Sequence, residues 1–318
     1  MTLASFVNLL RCPVSGQPLA LDHDQISTPD GRHRYPILDA GIPAFAEQPD
    51  SIQALQQRDH YDRIASAYHA NLGYPHTIEY MAYLDDCLRR TIGEGSFGIA
   101  AELCCGHGEA MSLFDARMTR GIGLDISPQM LRLARSDHRA EHLCFVQGDA
   151  TALPLASASF DTVFMLGGIH HVPDRRQLFA EVARILKPGG RFIFREPVSD
   201  FWLWRFLRSI VYRLSPTLDH ENERPLRLSE TAPPLNAAGL RLDRWTTHGF
   251  LGFCIFMNSD VLVVNRLFRF VPGIRSLTRA AARLDGAVLS LPGFASLGLQ
   301  VVGCATKVAL PNTFLRHR

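Results

Sequence analysis

Residues 99–110 have the sequence IAAELCCGHGEA. A short apolar run ends in Glu102, a turn with Gly106 and Gly108 follows, and a helix-like segment comes next. This order is typical of a strand, a tight turn and a helix N-terminus, where a nucleotide-like ligand can approach the backbone closely. Because ordinary strand–helix turns also contain such glycines, the interpretation depends on the residues that follow.

From residue 97 onward, apolar runs alternate with segments of helical periodicity. This alternation is typical of a parallel α/β sheet. Acidic residues stand at the ends of the first three predicted strands, at Glu102, Asp125 and Asp149. Ligands of open α/β sheets bind beyond the carboxyl ends of the strands, so we expect these acids to share one site.

The chemistry of these acids restricts the ligand. A carboxylate after the second strand can accept hydrogen bonds from both ribose hydroxyls, and one after the third can accept from an adenine amine. A carboxylate beside the glycine turn attracts a cation. Three acids without a phosphate-binding lysine suit a cationic nucleoside such as S-adenosylmethionine. A nicotinamide dinucleotide is the alternative, although the segment GHGEAM lacks the third glycine of that fingerprint.

Five segments carry a family resemblance: ELCCGHG, GIGLDISPQML, VQGDATALPLASASFDTVF, IHHVPD and LKPGGRFIFREP. In this order they resemble the class I S-adenosylmethionine-dependent methyltransferases, in particular the type 11 branch with the ubiquinone and menaquinone biosynthesis enzymes. The resemblance covers residues 60–200. It implies an α/β fold with a Rossmann-like seven-stranded sheet, accompanied here by a small β-rich N-terminal domain and a helical lid.

The resemblance also implies roles for individual residues. It places Glu102, Gly106 and Gly108 around the methionine part of the cofactor, and Cys104 stands where the family usually has its first glycine. It places Asp125 on the ribose, and Asp149 with Ala150 at the adenine. The remaining residues that we predict to bind the cofactor are Ile126, Met130 and Leu166.

Methyl transfer is an in-line displacement, so the enzyme must align the nucleophile, exclude water and accept a proton where the nucleophile carries one. His170 and His171 follow the fourth predicted strand and are candidates for the base, with His171 preferred. Glu196, after the fifth strand, is a further candidate for a base or an orienting group. Two alternatives stay open: one histidine only orders its loop, or catalysis proceeds by proximity alone.

Two segments are predicted to cover the site. The sequence YDRIASAY at 61–68 resembles the helix that closes over the cofactor in many methyltransferases, which makes Tyr61 and Tyr68 candidate lid residues. An insertion at 199–232 carries Trp202 and Trp204 and is expected to lie over the acceptor. In both segments the aromatic residues also suit ordinary packing in a core.

A second insertion, 251–298, is long and apolar and lies between the predicted strands 241–247 and 299–308. Its acidic residues are Asp260 and Asp285, and its basic residues are the arginines at 266, 269, 275, 279 and 283. This composition suits a peripheral membrane contact or a lipid-like acceptor. It equally suits a homodimer interface or an enlarged acceptor pocket.

Residues 1–48 have a different character, with short predicted strands and many Gly and Pro residues. They resemble the small zinc-ribbon-like domain that activates tRNA methyltransferases and is also fused to bacterial methyltransferases. That family uses a CPxC motif in metal binding, but here Ser15 replaces the second cysteine after Cys12. Since zinc needs about four soft or imidazole ligands, we expect a metal-free accessory domain at 1–48 and a methyltransferase domain at 58–318.

Composition narrows the class of protein. The chain has 318 residues, 47% hydrophobic and 20% charged, and its net charge of +2 argues against nucleic-acid binding. Seven cysteines lack a repeated CxxC spacing, and we find no signal peptide or transmembrane segment. We therefore expect a cytoplasmic methyltransferase for a small or amphipathic metabolite, peripheral at the inner membrane surface if 251–298 binds lipid. A catalytically silent binding or regulatory protein and an NAD-dependent oxidoreductase remain as alternatives.

Overall fold

The structure is a computed structural model of the chain. It consists of a small antiparallel sheet near the N-terminus and a larger mixed sheet with flanking helices, which confirms the predicted α/β class. The structure describes residues 3–46, 52–206, 224–257 and 263–309. Within these ranges, the side chains of residues 67–69 and 263–264 are not described.

The N-terminal unit contains four short antiparallel strands in sequential order. They are β1 (Ala20–Asp22), β2 (Gln25–Ser27), β3 (Arg34–Leu38) and β4 (Ile42–Pro43), with 3-10 turns at Leu3–Ser5, Val7–Leu9 and Asp39–Gly41. The predicted β-rich unit is thereby confirmed. The described residues contain no group of three or more His, Cys, Asp or Glu side chains that could hold a metal, and the Cys12 thiol instead lies 3.0 Å from the Tyr35 hydroxyl.

Seven strands form the larger sheet, as predicted. They are β5 (Gly98–Leu103), β6 (Met118–Asp125), β7 (Leu143–Gln147), β8 (Phe160–Leu166), β9 (Leu186–Pro197), β10 (Leu240–His248) and β11 (Gln300–Lys307). Their order across the sheet is β10–β11–β9–β8–β5–β6–β7. Strands β5 to β9 pair in parallel, and β10 and β11 are antiparallel additions at one edge.

Helices connect and cover these strands. They are α1 (Ile52–Leu72), α2 (Pro75–Ile92), α3 (Glu109–Phe114), α4 (Pro128–Asp137), α5 (Arg175–Ile185), α6 (Leu228–Ala237), α7 (Leu251–Phe256) and α8 (Ile274–Leu289). Shorter 3-10 segments lie at Asp115–Arg117, Ile169–His171 and Val263–Phe270. Residues 202–206 of the first insertion are helical, and its residues 207–223 lie outside the described part of the chain.

The position of β5 determines where a ligand can enter. β5 lies between β6 and β8, so the chain moves outward from β5 to β7 and then returns to β8. The loops after β5 and β8 therefore diverge, and a crevice forms at their carboxyl ends. We call this space the crevice; the glycine turn at 104–108 borders it on one side and the loop at 167–171 on the other.

The N-terminal unit packs directly on the larger sheet. Phe6, Leu10 and Ile26 belong to the same buried apolar core as the strands of that sheet. Ala44 pairs in parallel with Gln147 at the end of β7, and the Gln147 amide donates to the Ala46 carbonyl at 2.8 Å. The unit thus extends the β7 edge of the sheet, so this edge is covered instead of exposed.

Strand β9 is irregular near its beginning. Phe160 of β8 pairs with Leu186, whereas Thr162 pairs with Arg191, so residues 187–190 bulge out of the pairing. Gly189 has a φ of +78°, a backbone conformation that favours glycine. The KPGG segment at 187–190 is therefore an irregularity within the strand.

The second insertion forms a helical lid over α2. Buried Asp285 of α8 holds this lid together, because its carboxylate accepts a hydrogen bond from the Tyr80 hydroxyl of α2. It also accepts from the backbone N–H groups of Phe250 and Gly252, at 2.9 and 3.1 Å. None of the helices in the described ranges has the length and apolar character required to cross a bilayer.

Gly303 in β11 is expected to be essential for sheet packing. A Cβ atom at this position would overlap the buried Phe194 ring of β9, so we predict that Gly303→Ala lowers the free energy of unfolding by about 1–3 kcal/mol. Urea denaturation measures the change. Gly286→Ala, within α8 and with only an ordinary contact to Tyr83, serves as the control and is expected to stabilise by about 0.5–1 kcal/mol. Equal effects of the two substitutions would contradict this packing argument.

Candidate functional site at the carboxyl ends of the strands

Glu102 stabilises the helix that follows the glycine turn. It lies in β5, is 1% exposed, and accepts hydrogen bonds from the N–H groups of Ala110 and Met111 at 2.7 and 3.3 Å. These donors belong to the first turn of α3, where the unpaired N–H groups favour a carboxylate. Burial raises the pKa of Glu102 to about 8. Both oxygens thus hold α3 in place, and a contact between Glu102 and a cofactor stays a prediction.

Asp125 joins the end of β6 to the glycine turn. Its Oδ2 accepts from the Gly106 N–H at 2.8 Å and its Oδ1 from the Ser127 N–H at 2.9 Å. A carboxylate has about four lone-pair positions, so Asp125 retains acceptor capacity for a hydroxyl group of a ligand. Gly106 has a φ of +52°, and a Cβ built on it would meet no atom within 4 Å. Open space therefore lies beside the turn, as a ribose site requires.

Asp149 follows β7 and is half-buried. Its Oδ1 accepts from both the N–H and the hydroxyl of Thr151, each at 2.7 Å, while the hydrogen bonds within the described residues leave Oδ2 able to accept from an amine. The other predicted cofactor residues differ in accessibility: Ile126 and Leu166 are half-buried, whereas Ala150 and Met130 are buried. Met130 is only 2% exposed in α4.

Cys104 is compatible with the turn because of a compensating glycine. Its φ is +51°, in the left-handed region that few side chains adopt. Its side chain packs against Gly168 in the opposite loop, where an added Cβ would lie 2.6 Å from the Cys104 Cβ. The chain thus has a side chain at 104 and a glycine at 168, and this pair joins the two loops that border the crevice.

Glu196 orients the histidine loop. It is 0% exposed in β9, and its Oε1 accepts from the N–H groups of Gly168 and Ile169, both at 2.8 Å. Its Oε2 lies 2.8 Å from Nδ1 of His170. Burial raises the pKa of Glu196 to about 7. Of the two roles predicted for Glu196, base or orienting group, this geometry favours the orienting one.

His171 contacts the lid helix α1. Its Nε2 lies 2.8 Å from the Tyr61 hydroxyl, and the two rings meet edge to face. The centroid of the His170 ring lies 3.8 Å from that of His171, so both imidazoles occupy the same small volume. A predicted lid residue and the preferred base are therefore in direct contact. Tyr68 lies in α1 too, but its side chain is outside the described residues.

Asp62 is a site residue that we did not predict. Its Oδ1 accepts from the Ser127 hydroxyl at 2.5 Å and from the Gln129 N–H at 3.2 Å, both at the N-terminus of α4. Ser127 also caps α4, since its Oγ accepts from the Met130 N–H. Asp62 therefore fixes α1 next to Asp125. Its only sequence signal is an acidic residue beside Tyr61 in the lid-helix pattern.

A buried ion-pair cluster supports the crevice and was also not predicted. Arg195 of β9 is 5% exposed and pairs with Asp85 of α2 at 2.8 Å and with Glu109 of α3. A buried charge needs such partners, because burial alone would be costly. The three side chains connect a strand with two helices. The sequence signal was a charged residue, Arg195, directly after the apolar run at 192–194.

The first insertion borders the histidine loop through its return segment. The Arg224 N–H donates to the His170 carbonyl at 3.0 Å. At its beginning, Trp202 is 66% exposed and Trp204 is half-buried. The Phe201 ring lies 6.3 Å from the Phe250 ring, so the two insertions touch each other. The proposed contact of Trp202 and Trp204 with an acceptor stays a prediction.

Comparison with known proteins identifies the type of domain. Residues 101–194 match a family model described as a methyltransferase domain. Over 107 residues the chain is 36% identical to the phthiotriol/phenolphthiotriol dimycocerosates methyltransferase of Mycobacterium tuberculosis. This match covers 32% of this chain and 40% of that protein. Over 100 residues it is 39% identical to the demethylmenaquinone methyltransferase of Lactococcus lactis. This second match covers 29% of this chain and 39% of that protein. The chain thus spans about two fifths of the length of these curated relatives.

A solved structure supports the same fold. A chain from a Haloferax volcanii complex that contains the Trm112 methyltransferase activator is similar, with a TM-score of 0.56 and 21% identity. The match covers 80% of this chain and 98% of that one. Residues 101–194 thus match a methyltransferase-domain model, and the chain has the Rossmann-like class I methyltransferase fold, which confirms the predicted fold class.

The contact between Cys104 and Gly168 generates a prediction for a double-mutant cycle. Gly168→Ala is expected to destabilise the chain by about 1–3 kcal/mol, because its Cβ would lie 2.6 Å from the Cys104 Cβ and 2.8 Å from the Met165 Cε. In a Cys104→Gly background that cost should fall by at least about 1 kcal/mol, since the fixed Cys104 Cβ and the left-handed side chain are removed and the terminal methyl group of Met165 can move. Unfolding free energies of the four proteins measure the coupling, and additive effects would contradict the contact.

Proposed function

We propose that this chain is an S-adenosylmethionine-dependent methyltransferase that acts on oxygen, nitrogen or carbon of a small or amphipathic metabolite. The observation that carries the proposal is the Asp125 carboxylate, which is bonded to the Gly106 N–H and still has acceptor capacity toward the open space beside that turn. The methyltransferase-domain match over 101–194 supports it.

The set of hydrogen-bond acceptors fits S-adenosylmethionine. Asp125 would accept from the ribose hydroxyls, and Oδ2 of Asp149 would accept from the adenine amine. Gly167, like Gly106, has a positive φ and no atom within 4 Å of an added Cβ, so backbone borders the open space on both sides of the crevice. When bound, this cofactor supplies a methyl group that its sulfonium has already activated.

His171 is the residue that we propose as the proton acceptor. Glu196 fixes the backbone of its loop, and the ring of His170 lies against it. The Tyr61 hydroxyl of the lid helix contacts Nε2 of the imidazole. In this position the lid helix would also shield the loop from water. A buried carboxylate near the imidazole favours its protonated form, so Glu196 would assist proton uptake by His171 through charge.

Two relatives indicate the class of acceptor. By their names, one acts on phthiotriol and phenolphthiotriol dimycocerosates and the other on demethylmenaquinone. Both are lipid-like compounds, which supports an amphipathic acceptor for this chain in the cytoplasm or at the inner membrane surface. Residues 3–46 would serve as an accessory unit, because they cover the β7 edge of the sheet.

Substitution of Asp125 tests cofactor binding. We expect Asp125→Asn to weaken the binding of S-adenosylmethionine about tenfold to one hundredfold in calorimetry, since charge-assisted hydrogen bonds to the ribose would be lost. Asp137→Asn, at the far end of α4 and exposed, is the matched control and should bind normally. Unchanged binding by Asp125→Asn would exclude this site, and binding of NADH instead would favour the oxidoreductase alternative.

Substitution of His171 tests the proton acceptor. When the unaltered chain is incubated with labelled S-adenosylmethionine and a lipid extract, label should pass into the organic phase. His171→Ala should lower kcat about one hundredfold to ten thousandfold while cofactor binding persists. The acid limb of the pH–rate profile should disappear as well. His23→Asn changes an exposed histidine and is the control. Cofactor binding without any transfer would favour a silent binding protein, and an unchanged profile would exclude His171 as the base.

A further inference from the structure

The helical lid exposes an apolar surface. Six large apolar side chains of the lid are each between 42% and 69% exposed. Single exposed apolar residues are ordinary, but a group on consecutive elements indicates a binding surface. We call this group the lid face; it consists of Leu267, Phe270, Leu277, Leu284, Leu291 and Phe294.

The periodicity of α8 explains how the lid face arises. Leu277 and Leu284 are seven residues apart and form an apolar stripe on the outward side of the helix. Arg275, Arg279 and Arg283 are spaced by four residues and form an exposed basic stripe along the other edge of the exposed half of the helix. The side that faces the protein consists of Ile274, Thr278, Ala282, Asp285 and Leu289. The helix therefore has two apolar sides, of which the protein covers one.

The charges around the lid face have one sign. Within the described residues 263–309 the only acidic side chain is Asp285, which is 2% exposed. Arg279 pairs with Glu79 of α2. No ion pair among the described residues includes the four other exposed arginines of this surface, Arg266, Arg269, Arg275 and Arg283, although Arg269 donates to the Tyr74 hydroxyl at 3.3 Å. An anionic partner would therefore find both apolar contacts and unpaired cations here.

The insertion that carries the lid face leaves and rejoins the sheet at the end that borders the crevice. His248 and Gln300 are the points where the lid leaves and rejoins the sheet, and Gln300 pairs with Pro197, which follows Glu196. The first insertion starts at the same edge, and its Trp202 is 66% exposed. Both apolar insertions thus grow from the strand ends that border the proposed active site.

We propose that the lid face binds the surface of an anionic lipid bilayer, with apolar side chains in the interface and the arginines at lipid phosphates. A helix whose exposed half carries apolar side chains along one edge and arginines along the other is suited to lie in the plane of a membrane surface, because the long arginine side chains can reach the lipid phosphates. A symmetric contact between two copies would bring the basic stripes of Arg275 and Arg283 together without acids, which disfavours a dimer through this face. This inference goes beyond the proposed chemistry, since a lipid acceptor could then reach the crevice without leaving the membrane.

Vesicle sedimentation with the full chain tests this inference. We expect binding to vesicles of phosphatidylglycerol and phosphatidylcholine, little binding to phosphatidylcholine alone, and weaker binding at high salt. Arg275→Gln with Arg283→Gln should lower the partition coefficient about thirtyfold, and Leu277→Ser with Leu284→Ser at least about tenfold. The matched controls are Arg32→Gln and Val14→Ser, which remove equally exposed side chains of the N-terminal unit.

Each outcome decides for or against the lid face. Loss of binding in both double variants, with unchanged unfolding midpoints and normal binding by the controls, supports the inference. Absence of vesicle binding by the unaltered chain overturns it, and so does equal binding by all variants. A dimer in light scattering that Leu277→Ser with Leu284→Ser converts to a monomer would also overturn it, because the face would then bind a second copy. Cofactor calorimetry is independent of these results, so failure here leaves the proposed methyltransferase activity in place.

Discussion

Buried carboxylates that accept backbone N–H groups hold the loops of the proposed active site. Glu102, Asp125 and Glu196 each lie at or near the end of a parallel strand, and each accepts at least two backbone N–H groups from the helix start or loop beside it. A buried carboxylate is costly unless such donors surround it, and an unpaired N–H group is costly as well. Because each side satisfies the other, the loops are ordered by the protein itself. In the second insertion, Asp285 binds the N–H groups of Phe250 and Gly252 in the same manner.

The three carboxylates differ in their remaining ability to accept hydrogen bonds from a ligand. Glu102 and Glu196 are almost completely enclosed, and burial raises the pKa of both. Asp125 is also buried, yet it borders the open space beside Gly106, so it is the one suited to bind a ligand directly. Steric fit adds a further link across the crevice, because the Cys104 side chain fills the space that Gly168 leaves. The crevice thus combines two carboxylates that hold its loops in place with one carboxylate that can bind a ligand.

Around this crevice the helices differ in what they contact. The lid helix α1 is fixed from inside, through Tyr61 to His171 and through Asp62 to Ser127. The second insertion is fixed on its inner side by Asp285, whereas its outer side has apolar and arginine residues with no acidic side chain exposed among the described residues 263–309. Inner contacts therefore serve the proposed chemistry, and the outer surface serves the proposed approach of a lipid.

The sequence alone determined the order of strands and helices, the glycine turn and the acids at the strand ends, because these follow from local periodicity and turn chemistry. Only the tertiary structure decided which groups those acids bind. The contacts of Asp62 with Ser127 and of Asp85 with Arg195 join residues far apart in the chain, and no local pattern encodes such a pairing. It also decided that Leu277 and Leu284 face outward, since an apolar residue in a helix fits a core or a surface equally well until its neighbours are packed.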